Sequence, residues 1–172
     1  MKYYLRELLS WALYIGGGFL AAFILSNTIL VNAEVTSGSM ETTIMTKDHI
    51  AGLRTAYWFA EPERLDIIVF TNPENPKDDP FVKRIIGLPG EVITITDNRI
   101  YINNASEPLD EPYIAEPMVT ADSEYTVPEG YYFVMGDNRN NSKDSRRLGV
   151  IPRTDIIGKV YIGWLPNPRI IH

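Results

Sequence analysis

The chain contains no cysteine, so disulfides and thiolate nucleophiles or ligands are excluded. Histidine is nearly absent as well. Only His49 and His172 occur, too few for a multi-histidine metal centre, and no metal or other cofactor is expected. A Ser/His/Asp triad would have to use one of those two, and neither lies in the polar blocks described below. Basic residues are scarce and scattered, 16 against 22 acidic for a net charge of −6, which argues against nucleic acid as a partner. No repeat period is present. What the chain does have is a 45% hydrophobic fraction over 172 residues, enough for one folded domain of ordinary size.

From Leu8 to Ala33 there are 26 residues without a charge, and about 20 suffice to cross a bilayer core. Lys2 and Arg6 precede the run and Glu34 follows it. The positive-inside bias then places residues 1–7 in the cytoplasm, residues 8–33 across the membrane and residues 34–172 outside. A cleavable signal peptide is a rival reading, because Val31-Asn32-Ala33 resembles a small-residue cleavage site, although the apolar run exceeds the usual ~7–15 residues. A buried soluble helix is a second rival, but no polar face recurs at helical spacing. Both membrane readings export the remainder of the chain.

That remainder carries 14 basic and 21 acidic residues and is patterned as β structure. Leu65–Phe70 is a β-branched run stopped by Asn72-Pro73. Val92–Thr96 and Arg99–Ile102 flank Asp97-Asn98, which predicts a two-residue hairpin turn with positive φ. Tyr131–Met135 follows the turn signal Pro128-Glu129-Gly130, and Ile156–Ile162 supplies a late strand. Ten or so short segments predict a mostly β domain, an antiparallel sheet that coils or closes like a barrel. Two connections are long. Thr71–Pro80 holds three prolines and three acids. The region of about residues 100–130 resembles an insertion, with seven acids and four prolines between Glu107 and Glu129. Both are expected to be solvated. Trp58-Phe59 fits either a membrane-interface contact or a core aromatic pair.

Three blocks could carry chemistry. Thr36–Ile44 begins just past the uncharged run and sets small hydroxyl residues around Gly38, leaving a serine oxygen free to attack. In Phe81–Ile86, side chains alternate between faces, so Lys83 shares one with Phe81 and Ile85. Desolvation there would lower its pKa and yield a neutral amine, a general base that the neighbouring Arg84 can never become. A lysine whose stem packs while its ammonium reaches water fits the same pattern. The third block, Gly136–Arg146, is dense in short polar side chains and charges. It is a solvated turn if exposed, and a locking polar network if buried.

Together, Ser37-Gly38-Ser39-Met40, Lys83–Glu91 and Gly136–Arg146, with Leu65–Phe70 between, resemble the signature boxes of the type I (S26) signal peptidases. Order and spacing agree from the uncharged run to about Gly158, and the single span is similar to the short Gram-positive-like form. The resemblance implies a serine endopeptidase with a Ser/Lys dyad, removing signal peptides after small residues at −1 and −3. It assigns Ser39 as nucleophile, Lys83 as general base and Ser37 to the oxyanion hole. Ser142 would orient the lysine, Asp144 and Arg146 would be structural charges beside it, and Arg84 with Asp137 a supporting ion pair. The implied partners are preprotein signal peptides and the lipid bilayer, with secretion machinery as a further candidate, at the bacterial cell membrane. The chain departs from the family pattern at Thr36 and Thr42, where proline is usual, and at Leu65, where glycine is usual. An alternative is a specialised or non-catalytic paralogue serving as a membrane-anchored assembly or binding factor. A self-cleaving soluble Ser/Lys regulator shares the dyad but carries a DNA-binding segment in place of the span.

Overall fold

The computed structural model describes residues 2–171, and the uncharged run folds in it as α1, Lys2–Ile29. Between Arg6 and Ile29 this helix is long and apolar enough to cross a membrane, and its apolar stretch is not buried against protein. Its 24 residues rise about 36 Å at 1.5 Å each, against a hydrocarbon core of ~30 Å. The chain divides into a helical unit up to Leu30 and a β unit from Val31 onward. The helix therefore stops short of the expected boundary at Ala33, because Leu30–Glu34 is already strand β1. Val31 and Val35 bury their side chains in the core of the β unit, and that packing outweighs continuation of the helix.

The β unit continues with β2 (His49–Leu53), β3 (Ile67–Phe70), β4 (Phe81–Gly87), β5 (Val92–Thr96) and β6 (Arg99–Ile102). It closes with β7 (Ser123–Thr126), β8 (Tyr131–Met135), the short helix α2 (Ser145–Leu148), β9 (Ile151–Pro152), β10 (Ile156–Leu165) and β11 (Arg169–Ile170). The large sheet runs β1-β2-β10-β3-β4-β8-β9, with β11 paired to β10, and curls as a half-barrel. A second sheet of three strands runs β6-β5-β7. The mostly β class, with a coiled antiparallel sheet behind one N-terminal helix, is as expected.

Burial on both faces of the large sheet explains why its strands read as continuous apolar runs rather than alternations. In β3, Ile67 and Val69 enter one core cluster while Ile68 and Phe70 enter another. Likewise Tyr132 and Val134 of β8 face the second cluster, and Phe133 and Met135 face a third beneath the small sheet. The hairpin between β5 and β6 turns at Asp97 and Asn98, with φ of 49° and 60° and Thr96 opposite Arg99.

The acidic connection after β6 is largely exposed, as its composition suggests, but it is pinned to the interior at particular points. Met118 is buried in the third cluster, and Ser123–Thr126 adds β7 to the small sheet. Glu111 is drawn inward by an ion pair with Arg139. Thr71–Pro80 is also largely exposed apart from Asn72. Trp58 and Phe59 are exposed, so they are not a core pair.

Candidate active site

Ser39 sits in a single 3-10 turn, Gly38–Met40, entered from an extended Ser37 (φ −127°, ψ 151°). Met40, in the same turn, is buried and anchors it to the first core cluster. Lys83 projects from β4 with its Nζ 5.5 Å from the centre of the Phe81 ring. The two meet. Lys83 Nζ donates to Ser39 Oγ at 2.6 Å and to the Val82 carbonyl at 2.9 Å. Ser39 is 8% exposed and Lys83 4%. No carboxylate pairs with this amine among the described residues. Burial pushes its pKa down from 10.5 to about 8, and the charges of Asp144 and Asp137 only partly oppose the fall. The stretch thus supplies a serine hydroxyl in contact with an amine that loses its proton near neutral pH.

Ser37 Oγ lies 3.3 Å from Ser39 Oγ, so both hydroxyls face one point. A groove of about 720 Å³ opens there. One wall is the extended segment from Asn32 to Ser37, the other Asp79–Val82, with Ser39, Lys83, Asn141 and Lys143 at its end. Strand β8 pairs with β4 from Arg84 onward, so β4 has no strand partner on that side at Phe81–Lys83 among the described residues.

The third block is buried at Gly136, Asp137, Arg139, Asp144 and Ser145, exposed at Asn140, Asn141 and Lys143, and tied to the Ser39 loop. Asn138 donates its backbone N–H to the Ser39 carbonyl (3.1 Å) and its Nδ2 to the Gly38 carbonyl (3.0 Å). Thr43 Oγ1 donates to Asp137 Oδ2 at 2.5 Å. Asp137 also takes two bonds from Arg84, Nε to Oδ1 at 2.9 Å and Nη2 to Oδ2 at 2.7 Å. This pair is 1% and 0% exposed, the bidentate geometry in which an ion pair survives burial. Gly136 is glycine for steric reasons. A Cβ there would collide with the Ser39 carbonyl oxygen and with Ser142 Oγ.

Asp144 caps α2 by accepting from the backbone N–H of Arg146, and it also takes that residue's Nε at 2.8 Å and Nη2 at 2.8 Å. The Gly136 N–H adds a further bond at 3.1 Å. Burial alone would raise the Asp144 pKa, but Arg146 and these donors outweigh it and hold the carboxyl below its ordinary value. Ser142 is placed differently from expectation. Its hydroxyl is buried against Gly136 and helps hold the Asp144 carboxyl below its ordinary value, while Lys83 bonds to Ser39 and Val82.

Leu65, in the place where the family pattern has glycine, takes φ 73°, in the left-handed region that costs most side chains roughly 1–2 kcal/mol. Its carbonyl accepts Arg84 Nη1 at 3.0 Å. His49 stacks near Trp164, with ring centres 5.6 Å apart, and does not line the groove. His172 lies outside the described residues. Among the described residues, no group of three or more potential ligands could hold a metal ion.

Within the blocks the sequence singles out, nothing marks Thr43, Asn138 and Gly136 individually. Their roles depend on partners 94 to 100 residues away, so no local signal sets them apart.

Comparison with known proteins finds signal peptidases. A family model described as signal peptidase, peptidase S26, matches residues 8–165. A probable signal peptidase I-2 of Synechocystis is 38% identical over 144 residues, covering 79% of this chain but 63% of that relative, less than two thirds of its length. Signal peptidase IB of Staphylococcus aureus is 29% identical over 185 residues, covering 97% of this chain and 94% of its own. The crystal structure of a signal peptidase I from Enterococcus faecalis superposes with a TM-score of 0.51 at 38% identity, covering 58% of this chain and 96% of that one.

Proposed function

The chain belongs to the signal peptidase family, peptidase S26, and on that premise we propose that it is a membrane-anchored serine endopeptidase that removes signal peptides with a Ser39/Lys83 dyad. The observation that carries the proposal is the 2.6 Å contact between Lys83 Nζ and Ser39 Oγ, made by an amine whose pKa burial lowers to about 8.

In this reading α1 is the anchor, with its N-terminus in the cytoplasm and the β unit outside. An exported preprotein lies extended in the groove. Its backbone pairs with the open edge of β4 at Phe81–Lys83 and with the segment ending at Ser37, a mode of strand addition. On this reading the groove takes small side chains at −1 and −3. Neutral Lys83 takes the proton of Ser39 Oγ as that oxygen attacks the scissile carbonyl. The resulting oxyanion is met by the Ser37 hydroxyl and the Ser39 N–H, and loss of one such donor typically costs ~10²–10³ in turnover. Lys83 then passes its proton to the leaving amine, and in its neutral form activates the water that releases the acyl-enzyme. Asn138 and Thr43 hold the loop, Arg84 and Asp137 hold Thr43, and Asp144 with Arg146 braces the block. Nucleic acid has no part in this scheme, and secretion machinery is a proposed neighbour.

The test is cleavage of a preprotein by the full chain in detergent, beside Ser39→Ala and Lys83→Ala. Wild type should cut and each variant should fall to background. Equal behaviour of all three would leave only the assembly- or binding-factor reading.

A further inference from the structure

The acidic connection after β6 has no part in the scheme above, yet it reaches the centre of the site. We infer that Tyr113 is a positioning residue for the Ser39 loop, acting through the two buried arginines that it bridges. The inference rests on the signal peptidase reading of that loop.

The contacts form a continuous chain. The Tyr113 ring lies over the Arg84 guanidinium, 3.9 Å from Cζ to the ring centre. Its hydroxyl donates to Glu111 Oε1 at 2.8 Å. Glu111 in turn accepts from Arg139 Nη2 at 2.5 Å and Nη1 at 3.0 Å. Each arginine grips the backbone or side chain of the block: Arg84 holds Asp137, and Arg139 Nε donates to the Gly136 carbonyl at 3.1 Å. Residues 136–138 are thereby fixed from one side. From the other side, Asp137 accepts from Thr43, and Asn138 donates to the carbonyls of Gly38 and Ser39. Tyr113 and the peptide of the serine are thus linked through this network.

The ring suits this place for a physical reason. Asp137 and the Leu65 carbonyl take in-plane donors of Arg84 but leave the face of the guanidinium, and a planar cation stacks on an aromatic ring more readily than it accepts water there. A ring over that face keeps water from the Arg84–Asp137 pair and fixes the plane in which Asp137 must lie to accept Thr43. An aliphatic side chain would fill volume without directing that plane. Small misplacements of a reacting group are costly in rate even when the cause lies far from the chemistry.

The experiment compares the full chain in detergent with Tyr113→Phe and Tyr113→Leu. Preprotein cleavage is measured per folded enzyme, and amide exchange is measured at Asn138, whose N–H holds the Ser39 carbonyl. Tyr113→Phe keeps the ring and should stay within about 2-fold of wild type in kcat. Tyr113→Leu should lose about 10-fold in kcat with KM changed less than about 2-fold, the pattern of a group felt mainly in the transition state. It should also exchange the Asn138 amide faster, while the acid limb of the kcat/KM profile stays where Lys83 sets it. A Leu variant with wild-type exchange at Asn138 overturns the inference, whether or not wild type cleaves. So does a Phe variant as impaired as Leu, a loss accounted for by unfolded protein, or a moved acid limb. A wild-type chain that fails to cleave while the exchange pattern holds would instead remove the peptidase reading and leave the positioning contact standing.

Discussion

Two glutamates tie loops of similar composition to the same block, and they do so in opposite surroundings. Glu111, from the connection after β6, meets Arg139 with side chains 8% and 0% exposed. Glu74, from Thr71–Pro80, meets Lys143 with side chains 54% and 47% exposed. Both loops are acidic and rich in proline, and composition alone predicts that both are solvated. One bridge lies at the surface and the other is buried. The difference lies in the cation. Arg139 is drawn in by the Gly136 carbonyl, its backbone carbonyl is bonded by Arg146 at 2.7 Å, and a buried guanidinium requires a carboxylate partner. Lys143 stays in water and requires none.

The comparison is best attacked where the effect should be largest. Glu111→Ala strands a buried guanidinium and should cost about 3–5 kcal/mol in denaturant unfolding. A loss below about 1 kcal/mol would mean the two bridges are equivalent after all. Next comes the buried cation that has no carboxylate. Lys83 has its pKa lowered from 10.5 to about 8, so the unfolded chain binds the proton more tightly. Its burial therefore destabilises the fold fully below pH 8, by about 3 kcal/mol at most, and the penalty fades between about 8 and 10.5. Lys83→Met should accordingly raise Tm at pH 6, show a shrinking advantage toward pH 10, and abolish cleavage. A Tm difference independent of pH would refute this account.

The same titration should be visible in turnover. Since the neutral amine is the proposed base, kcat/KM should rise about tenfold per pH unit up to about 8 and then level off. A limb centred near 6 would point to another group. The smallest effect is expected at the exposed bridge. Glu74→Gln should change stability by no more than ~0.5 kcal/mol, and salt should erase even that. A larger change, or one indifferent to salt, would show that the exposed bridge is more than a surface contact.

Much of this organisation is legible in the residues, because part of it is local. The hairpin at Asp97-Asn98 follows from two residues that tolerate positive φ, and the β3 run from burial on both faces. The meeting of Ser39 with Lys83 follows from block order and resemblance rather than from local physics, since 44 positions separate them. What stays hidden depends on pairing across the fold. Glu111 carries no mark that distinguishes it from Asp110 or Glu116 until Arg139 is placed beside it. Thr43 is one more hydroxyl in a run of them until Asp137 arrives. The end of α1 is displaced from its expected position for the same reason. Val31 is as apolar as its helical predecessors, and only the waiting core of the β unit makes it a strand residue. Leu65 shows the converse case, in which a position's need for positive φ is hidden by a side chain that accepts the strain.

Gly136 has a consequence for how this chain can vary. Gly130 has φ of 77°, with open space where a side-chain carbon would sit, so steric room does not bar asparagine, the side chain that best tolerates positive φ, whereas Gly149, at φ 79° and ψ −175°, holds a backbone essentially reserved for glycine. Gly136 has no such escape. Its constraint is the nearness of a backbone oxygen, and even alanine adds the offending atom. Mutational drift is thus sterically open at the Gly130 turn and closed where Gly136 leans on the serine's own peptide.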